Sequence, residues 1–206
     1  MSVTRFSVHA QSVREEAASG FQWVIKVRGG DPVHVRGQFP TVGVPGGPGP
    51  EFTLYEDRAG HKPLCSVARR SNGTGSDDGL VVTGPDGDVL GVLRPPARRT
   101  RLRPRYEMEL PDGTRLVGIG GTVGSWVLYA VLSPLLLVYN VGSFVGGYGG
   151  PDWFLPTRTA WRTRDGLGLG RAPLKFYGLT DKYKVRTARL DARVAYVQAV
   201  LHDWCS

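Results

Sequence analysis

The sequence predicts a mainly β protein, built as a closed antiparallel barrel of about 12 strands around a buried C-terminal helix. Three observations lead to this prediction. The chain contains 29 glycines and 15 prolines, which favour many turns and short strands over long helices. Several apolar-alternating hairpins recur in series, and the last segment is a helix-permissive stretch that is apolar on nearly every face. At 206 residues and 41% hydrophobic content, the chain is long enough to bury a sizeable core.

The first residues, 1–20, are polar and have no clear period, so we expect a mobile tail or a short helix outside the barrel. The barrel domain is then expected to cover residues 21–206. The alternation in FQWVIKVR, residues 21–28, predicts a strand, and a Gly-Gly-Asp-Pro turn joins it to PVHVRGQF in a hairpin. Residues 41–50, TVGVPGGPGP, contain four glycines and three prolines, a composition that predicts a loop.

A weak repeat follows this loop, in the segments FTLYEDRAGHKPLCSVARR, LVVTGPDGDVLGVLRP and RYEMELPDGTRLVGIGG. Each has an apolar-alternating run, a polar turn with glycine and a second apolar run. The turn glycines, spaced 27 and 26 residues apart, are Gly60, Gly87 and Gly113. Asp-Gly between such runs predicts type I′ turns, in which both central residues have positive φ. Because one hairpin cannot bury its apolar face alone, three in series imply one closed or stacked sheet.

More strand material follows residue 158, in TAWRTRDGLGLGRAPLKFYGL and KYKVRTARL. The predicted total is ten to twelve strands.

The last segment, over 191–204, has no glycine or proline, and Asp191 is a suitable N-cap for a helix. A helix that is apolar all round must be buried all round. At about 21 Å it is too short to span a bilayer, so we expect it inside the barrel.

Three features resemble the tubby C-terminal-like superfamily: the turn of residues 83–87 through Gly91, the turn of residues 110–113 through Gly118, and the helix Asp191–Trp204. That superfamily includes tubby proteins, phospholipid scramblases and LURP-one-related proteins. The resemblance covers roughly residues 51–206. It implies a twelve-stranded barrel around a central C-terminal helix, usually non-enzymatic, with several members acting at membranes. The long uncharged stretch described next and the loop 41–50 depart from the pattern of the superfamily.

The stretch 117–150 contains no charged side chain. Its densest apolar part, Trp126–Val145, is long enough for a spanning helix, but Pro134 lies inside it. A single crossing would also separate strands that must meet in one barrel. Three interpretations stay open: an insertion bent at Pro134 that dips into a membrane, a segment buried in the core, or, against the barrel argument, a single span. The residues expected to enter the membrane are Trp126, Leu128, Tyr129, Leu132, Leu135, Leu136, Leu137, Tyr139 and Phe144.

The net charge is +8, and this excess indicates an anionic partner. Residues 94–105, RPPARRTRLRPR, concentrate the arginines beside the apolar stretch and predict binding of anionic phospholipid. The alternative is a solvated hairpin arm with alternate arginines on its outer face. Nucleic acid is not the expected partner, since few aromatic residues interleave with these arginines. The predicted lipid-binding residues are Arg94, Arg98, Arg99, Arg101, Arg103 and Arg105.

No pattern of catalytic, metal-binding or cofactor-binding residues occurs in the sequence. The two cysteines, Cys65 and Cys205, have no metal-ligand spacing, the four histidines lie far apart, and the glycines after residue 117 do not fit a dinucleotide fingerprint. We therefore expect a non-catalytic protein without cofactor or metal.

The opening residues have no apolar signal-peptide region, so we expect a cytoplasmic protein, peripheral or monotopic at the inner membrane face. One alternative is a soluble scaffold or protein-interaction module with the apolar stretch buried. The other is an enzyme whose site no motif reveals.

Overall fold

The computed structural model describes residues 3–40, 50–70, 79–96, 104–121, 158–163, 172–178 and 180–205, and in addition Val131, Ser133, Pro134 and Val138. In this part of the chain twelve strands form a closed barrel, each antiparallel to its neighbours in sequence, with β1 and β12 pairing to close the ring. The predicted fold class is confirmed. The strands are β1 Val3–Ala10, β2 Trp23–Val27, β3 Val33–Gln38, β4 Glu51–Tyr55, β5 Pro63–Arg69, β6 Leu80–Thr83, β7 Val89–Arg94, β8 Arg105–Glu109, β9 Arg115–Ile119, β10 Arg158–Thr163, β11 Leu174–Tyr177 and β12 Lys182–Arg186.

The mobile tail predicted for residues 1–20 is wrong for residues 3–20, whereas the alternative of a short helix is confirmed for Val13–Ser19. Strand β1 lies between β2 and β12, and helix α1, Val13–Ser19, follows it. Only Phe6 and Val8 of β1 point into the core, which is too few apolar residues to give the sequence a clear period. Helix α1 begins with a capping box between Ser12 and Glu15 and ends at Gly20, whose φ is 72°.

The predicted Asp-Gly hairpins are confirmed, but their turns differ from type I′. The amide of Gly87 donates to the carbonyl of Gly84 at 3.1 Å, and the amide of Gly84 donates to the carbonyl of Asp88 at 2.8 Å. Gly87 has a φ of 84°, whereas Asp86 has no positive φ. These hydrogen bonds and angles are typical of a three-residue loop closed by a glycine bulge, in which only one residue needs positive φ.

The C-terminal helix α2, Ala192–Trp204, occupies the barrel interior. Asp191 is its N-cap, as predicted, and accepts a hydrogen bond of 2.8 Å from the amide of Arg193. All nine residues from 194 to 202 are buried. The helix contacts β1 and β12 on one wall and β5 and β7 on the opposite wall. A helix without a polar face is stable here because strand residues line it on every side.

Strand connections alternate between the two ends of the barrel. The short glycine turns at Gly60, Gly87 and Gly113 lie at one end, which we call the turn end, and α2 begins there. At the other end, the loop end, the segments 39–50, 70–79, 95–104 and 120–157 join consecutive strands. The C-terminal part of α2 reaches the loop end, where Trp23 Nε1 donates to Asp203 Oδ2 at 2.8 Å.

The uncharged stretch of the sequence begins inside the barrel wall. Its residues 117–119 belong to β9, which pairs directly with β10 on the far side of the stretch. The expectation that the strands on both sides meet in one barrel is therefore confirmed. The β9–β10 connection, which contains the rest of the stretch, begins at the loop end.

Candidate anion-binding surfaces

Two of the six predicted lipid-binding arginines lie on barrel strands, and both have a carboxylate partner on β8. Arg94 Nη1 lies 3.2 Å from Glu109 Oε2, and Arg105 Nη2 lies 2.8 Å from Glu107 Oε1. The hydrogen bond from Arg94, with a smaller contribution from Arg115, lowers the pKa of Glu109. Part of the charge of these two arginines is thus balanced within the barrel. The other four, Arg98, Arg99, Arg101 and Arg103, lie outside the described residues.

The arginine-rich segment and the uncharged stretch meet where they leave the barrel. The backbone amide of Gly120 donates a hydrogen bond of 2.9 Å to the carbonyl of Pro104. The next residues along, Arg105 and Ile119, are paired between β8 and β9. Segments 95–104 and 120–157 therefore start from adjacent points of the loop end, a proximity that sequence reasoning proposed only from their order along the chain.

The nine residues predicted to enter a membrane lie outside the described part of the chain. Within the β9–β10 connection, Val131 and Val138 have helical backbone and are 70% and 72% exposed. Among the described residues, no helix has the length and apolar character needed to cross a membrane.

A second positively charged surface, which sequence reasoning missed, covers five neighbouring strands. We call the outer surface of β10, β11, β12, β1 and β2 the basic face. These strands carry no aspartate or glutamate, whereas carboxylates occur on β4 and β8 of the opposite wall. The outward cations on the five strands are Arg5, Lys26, Arg158, Arg162, Lys175, Lys182, Lys184 and Arg186.

Lys184 lies at the centre of the basic face. It is paired with Arg5 on β1 and with Lys175 on β11. Partial burial, together with the charges of Arg158, Arg186 and Lys184, lowers the pKa of Lys175. Like charges directly opposite each other destabilise a sheet, so the barrel keeps this arrangement at a cost in stability.

An open pocket of about 300 Å³ lies at the turn-end side of the basic face, lined by Val3, Arg5, Arg28 and Lys184. Three of its four lining residues are cations. The residues come from the two ends of the chain, and Arg5 lies in the region expected to be a mobile tail. The alternation of lysines and arginine in KYKVR, residues 182–186, is the one signal in the sequence that indicates an outward basic strand.

A larger open cavity of about 740 Å³ lies at the turn end, beside the start of α2. Its charged lining residues include the carboxylates Asp112 and Asp191 as well as Arg162 and Arg189. Asp191 already serves as the N-cap of α2. With both signs of charge present, this cavity has no clear preference for an anion.

Burial favours the neutral forms of one histidine and of both cysteines, so none of the three is suited to a reaction that needs its charged form. Burial lowers the pKa of His202 to about 4 and raises the pKa of the Cys65 and Cys205 thiols to about 12 and about 11. A thiol with such a pKa is a poor nucleophile, because the thiolate is the reactive form. The described residues contain no group of three or more His, Cys, Asp or Glu side chains placed to hold a metal ion.

Comparison of the chain with protein-family models, curated proteins and solved structures gave no match. The resemblance to the tubby C-terminal-like superfamily therefore stays a prediction, and a function has to be inferred from the surfaces of the barrel.

Proposed function

We propose that this protein binds anionic phospholipid membranes without catalysis, as a peripheral protein that approaches the bilayer with its loop end. The observation that carries the proposal is the hydrogen bond between Gly120 and Pro104. It brings the base of an arginine-rich segment next to the base of an apolar segment. Peripheral membrane binding commonly combines these two contributions, electrostatic attraction to headgroups and burial of apolar side chains at the acyl boundary.

The ion pairs within the barrel narrow the set of arginines available for lipid. Arg94 and Arg105 have glutamate partners, so we assign the main contribution to Arg98, Arg99, Arg101 and Arg103. A basic residue near an anionic membrane contributes about 1 kcal/mol. Four such residues give about 4 kcal/mol, which corresponds to a dissociation constant of about 1 mM. Stable attachment therefore also requires apolar contacts, and residues 126–145 are the source that the sequence offers.

Flotation of the full-length protein with liposomes tests the proposal. We expect flotation with vesicles of phosphatidylglycerol in phosphatidylcholine, little flotation with pure phosphatidylcholine, and release at high salt. The variant R98S/R99S should bind about 30-fold more weakly, from a loss of about 2 kcal/mol. The control variant R58S/K62S removes the same charge at the turn end, where both side chains are exposed, and should bind like wild type.

Two outcomes would contradict the proposal. One is a wild-type protein that floats with neither vesicle at low salt, which would favour a protein-interaction module instead. The other is an equal loss of binding in R98S/R99S and R58S/K62S, which would show attraction by net charge without an oriented loop end.

A further inference from the structure

We infer that the pocket of Arg5, Arg28 and Lys184 on the basic face is a binding site for a phosphate monoester. This site lies on a different surface from the loop end and does not depend on the proposed membrane function. The ligand is defined by its chemistry: a terminal phosphate group with two negative charges, either on a soluble metabolite or on a lipid headgroup.

The strand register holds the three cations around one pocket. Arg5 on β1 is directly opposite Lys184 on β12. On the other side of β1, the amide of Arg28 donates to the carbonyl of Arg5 at 2.9 Å, so the residue after β2 is fixed beside Arg5. The fourth lining residue, Val3, is 42% exposed and provides an apolar edge. The pocket volume of about 300 Å³ is at the lower limit of small-molecule sites.

The described part of the barrel provides no ion-pair partner for the charges in the pocket. Among the described residues, none of Arg5, Arg28 and Lys184 takes part in an ion pair, and the five strands of the basic face contain no carboxylate. Cross-strand repulsion between Arg5 and Lys184 is relieved when an anion lies between them. The strand pairing fixes the backbone positions of the three cations before the ligand binds, which lowers the cost of assembling the site.

A phosphate monoester fits this pocket better than a phosphodiester does. At pH 7 it carries a charge of about −1.5 to −2 and presents three acceptor oxygens, one for each cation of the pocket. Guanidinium groups bind such oxygens in a bidentate fork, and the lysine acts as a point charge. A diester has a single negative charge and fewer free oxygens, so we expect it to bind more weakly.

Calorimetric titration of the full-length protein with glycerol 3-phosphate tests the site. We expect saturable binding at pH 7.5 that weakens at pH 5.5, because the second pKa of a phosphate monoester is about 6 and the ligand loses most of its second negative charge at the lower pH. The variant K184Q should bind at least about tenfold more weakly, the effect of losing one hydrogen bond between charged groups. The control K182Q, an outward lysine two residues along β12, should stay within about twofold of wild type.

Arg28 lies outside the strands and is exposed, so R28Q gives a second test if K184Q does not fold.

Vesicles of phosphatidic acid, a lipid phosphate monoester, distinguish a lipid headgroup from a soluble ligand. Binding of glycerol 3-phosphate alone indicates a soluble ligand, and K184Q-sensitive binding of phosphatidic acid vesicles indicates a headgroup. The loop-end variant R98S/R99S should leave glycerol 3-phosphate binding unchanged, which separates this site from the proposed membrane function. Absence of saturable binding to either probe, or equal losses in K184Q and K182Q, would overturn the inference.

Discussion

The backbone amide of Gly120 donates a hydrogen bond to the carbonyl of Pro104, at 2.9 Å. This bond joins the residue after β9 to the residue before β8. Gly120 is buried, and a Cβ atom at this position would lie 2.9 Å from Cδ and Cγ of the Pro104 ring. The close approach of the Pro104 ring to Gly120 therefore favours glycine at this position, and the hydrogen bond fixes the first residue after β9 beside the last residue before β8.

Substitution of Gly120 tests this junction. In G120A the new methyl group displaces Pro104, and we expect a loss of about 1–2 kcal/mol in the free energy of unfolding together with weaker flotation on anionic vesicles. The control is G30A, where the nearest atom, Val27 Cγ1, lies 3.4 Å from the added Cβ. Urea unfolding and flotation of both variants give the comparison. If G120A is destabilised but floats like wild type, the junction stabilises the barrel without aligning the two segments for a membrane.

The sequence predicts those parts of the fold that depend on local chemistry. Gly87 and Gly113 mark the hairpins because a turn needs positive φ there, and the apolar faces of α2 indicate a position inside the sheet. Strand β1 could not be predicted in the same way. Its inward residues Phe6 and Val8 are only two, and its pairing with β12 joins segments from opposite ends of the chain.

Deletion of residues 1–10 tests the closure of the barrel by β1. The deletion leaves the edges of β2 and β12 unpaired and removes Phe6, whose ring stacks on Tyr183 at 5.1 Å and meets Tyr196 edge-on at 4.8 Å. We expect a protein without cooperative unfolding that exposes apolar surface. The control is deletion of residues 1–2, which leaves β1 complete. Circular dichroism and dye binding report the result. Cooperative unfolding of the larger deletion at the wild-type midpoint would refute a structural role for β1.

The candidate sites also combine residues that the sequence shows with contacts that only strand pairing creates. A run of arginines between residues 94 and 105 is visible in the sequence, but the pairing of β7 with β8 is needed to bring Arg94 to Glu109 on the neighbouring strand. The ion pair of Arg105 with Glu107, by contrast, lies within β8 itself. For the pocket of Arg5, Arg28 and Lys184 the sequence shows only the basic alternation of residues 182–186, because strand pairing across the closure of the barrel assembles the rest.

The packing of Trp161 against Gly118 gives a prediction for the core. Gly118 is paired with Trp161 on β10, and a Cβ at Gly118 would lie 2.5 Å from the Trp161 Nε1 atom. Trp161 is fully buried. In G118A the indole must move, at an expected cost of about 1–3 kcal/mol. In the background of W161F, the smaller ring leaves room for the methyl group, so the same substitution should cost less. A double-mutant cycle in urea measures this coupling, and additive effects would show that the indole does not limit residue 118.

His202 makes the stability of the barrel dependent on pH. It is buried within an aromatic cluster, with Nδ1 lying 3.0 Å from the hydroxyl oxygen of Tyr183, and burial lowers its pKa from 6.5 to about 4. Below pH 6.5 the unfolded chain therefore binds a proton that the folded chain does not bind until about pH 4. The free energy of unfolding should fall as the pH decreases through this window, by about 2 kcal/mol between pH 7.5 and pH 5.

The variant H202Q isolates this contribution, since glutamine keeps a hydrogen-bonding group for Tyr183 and does not titrate. Its free energy of unfolding should change less than that of wild type between pH 7.5 and pH 5, whatever its absolute value. His34, whose pKa is also lowered by burial, acts in the same direction in both proteins and cancels in the comparison. Burial raises the pKa of Asp203, which stabilises the fold as the pH falls, and this contribution cancels as well. The control is H61Q, which removes an imidazole that is 84% exposed, and equal pH dependence of H202Q and H61Q would assign the acid sensitivity to other groups.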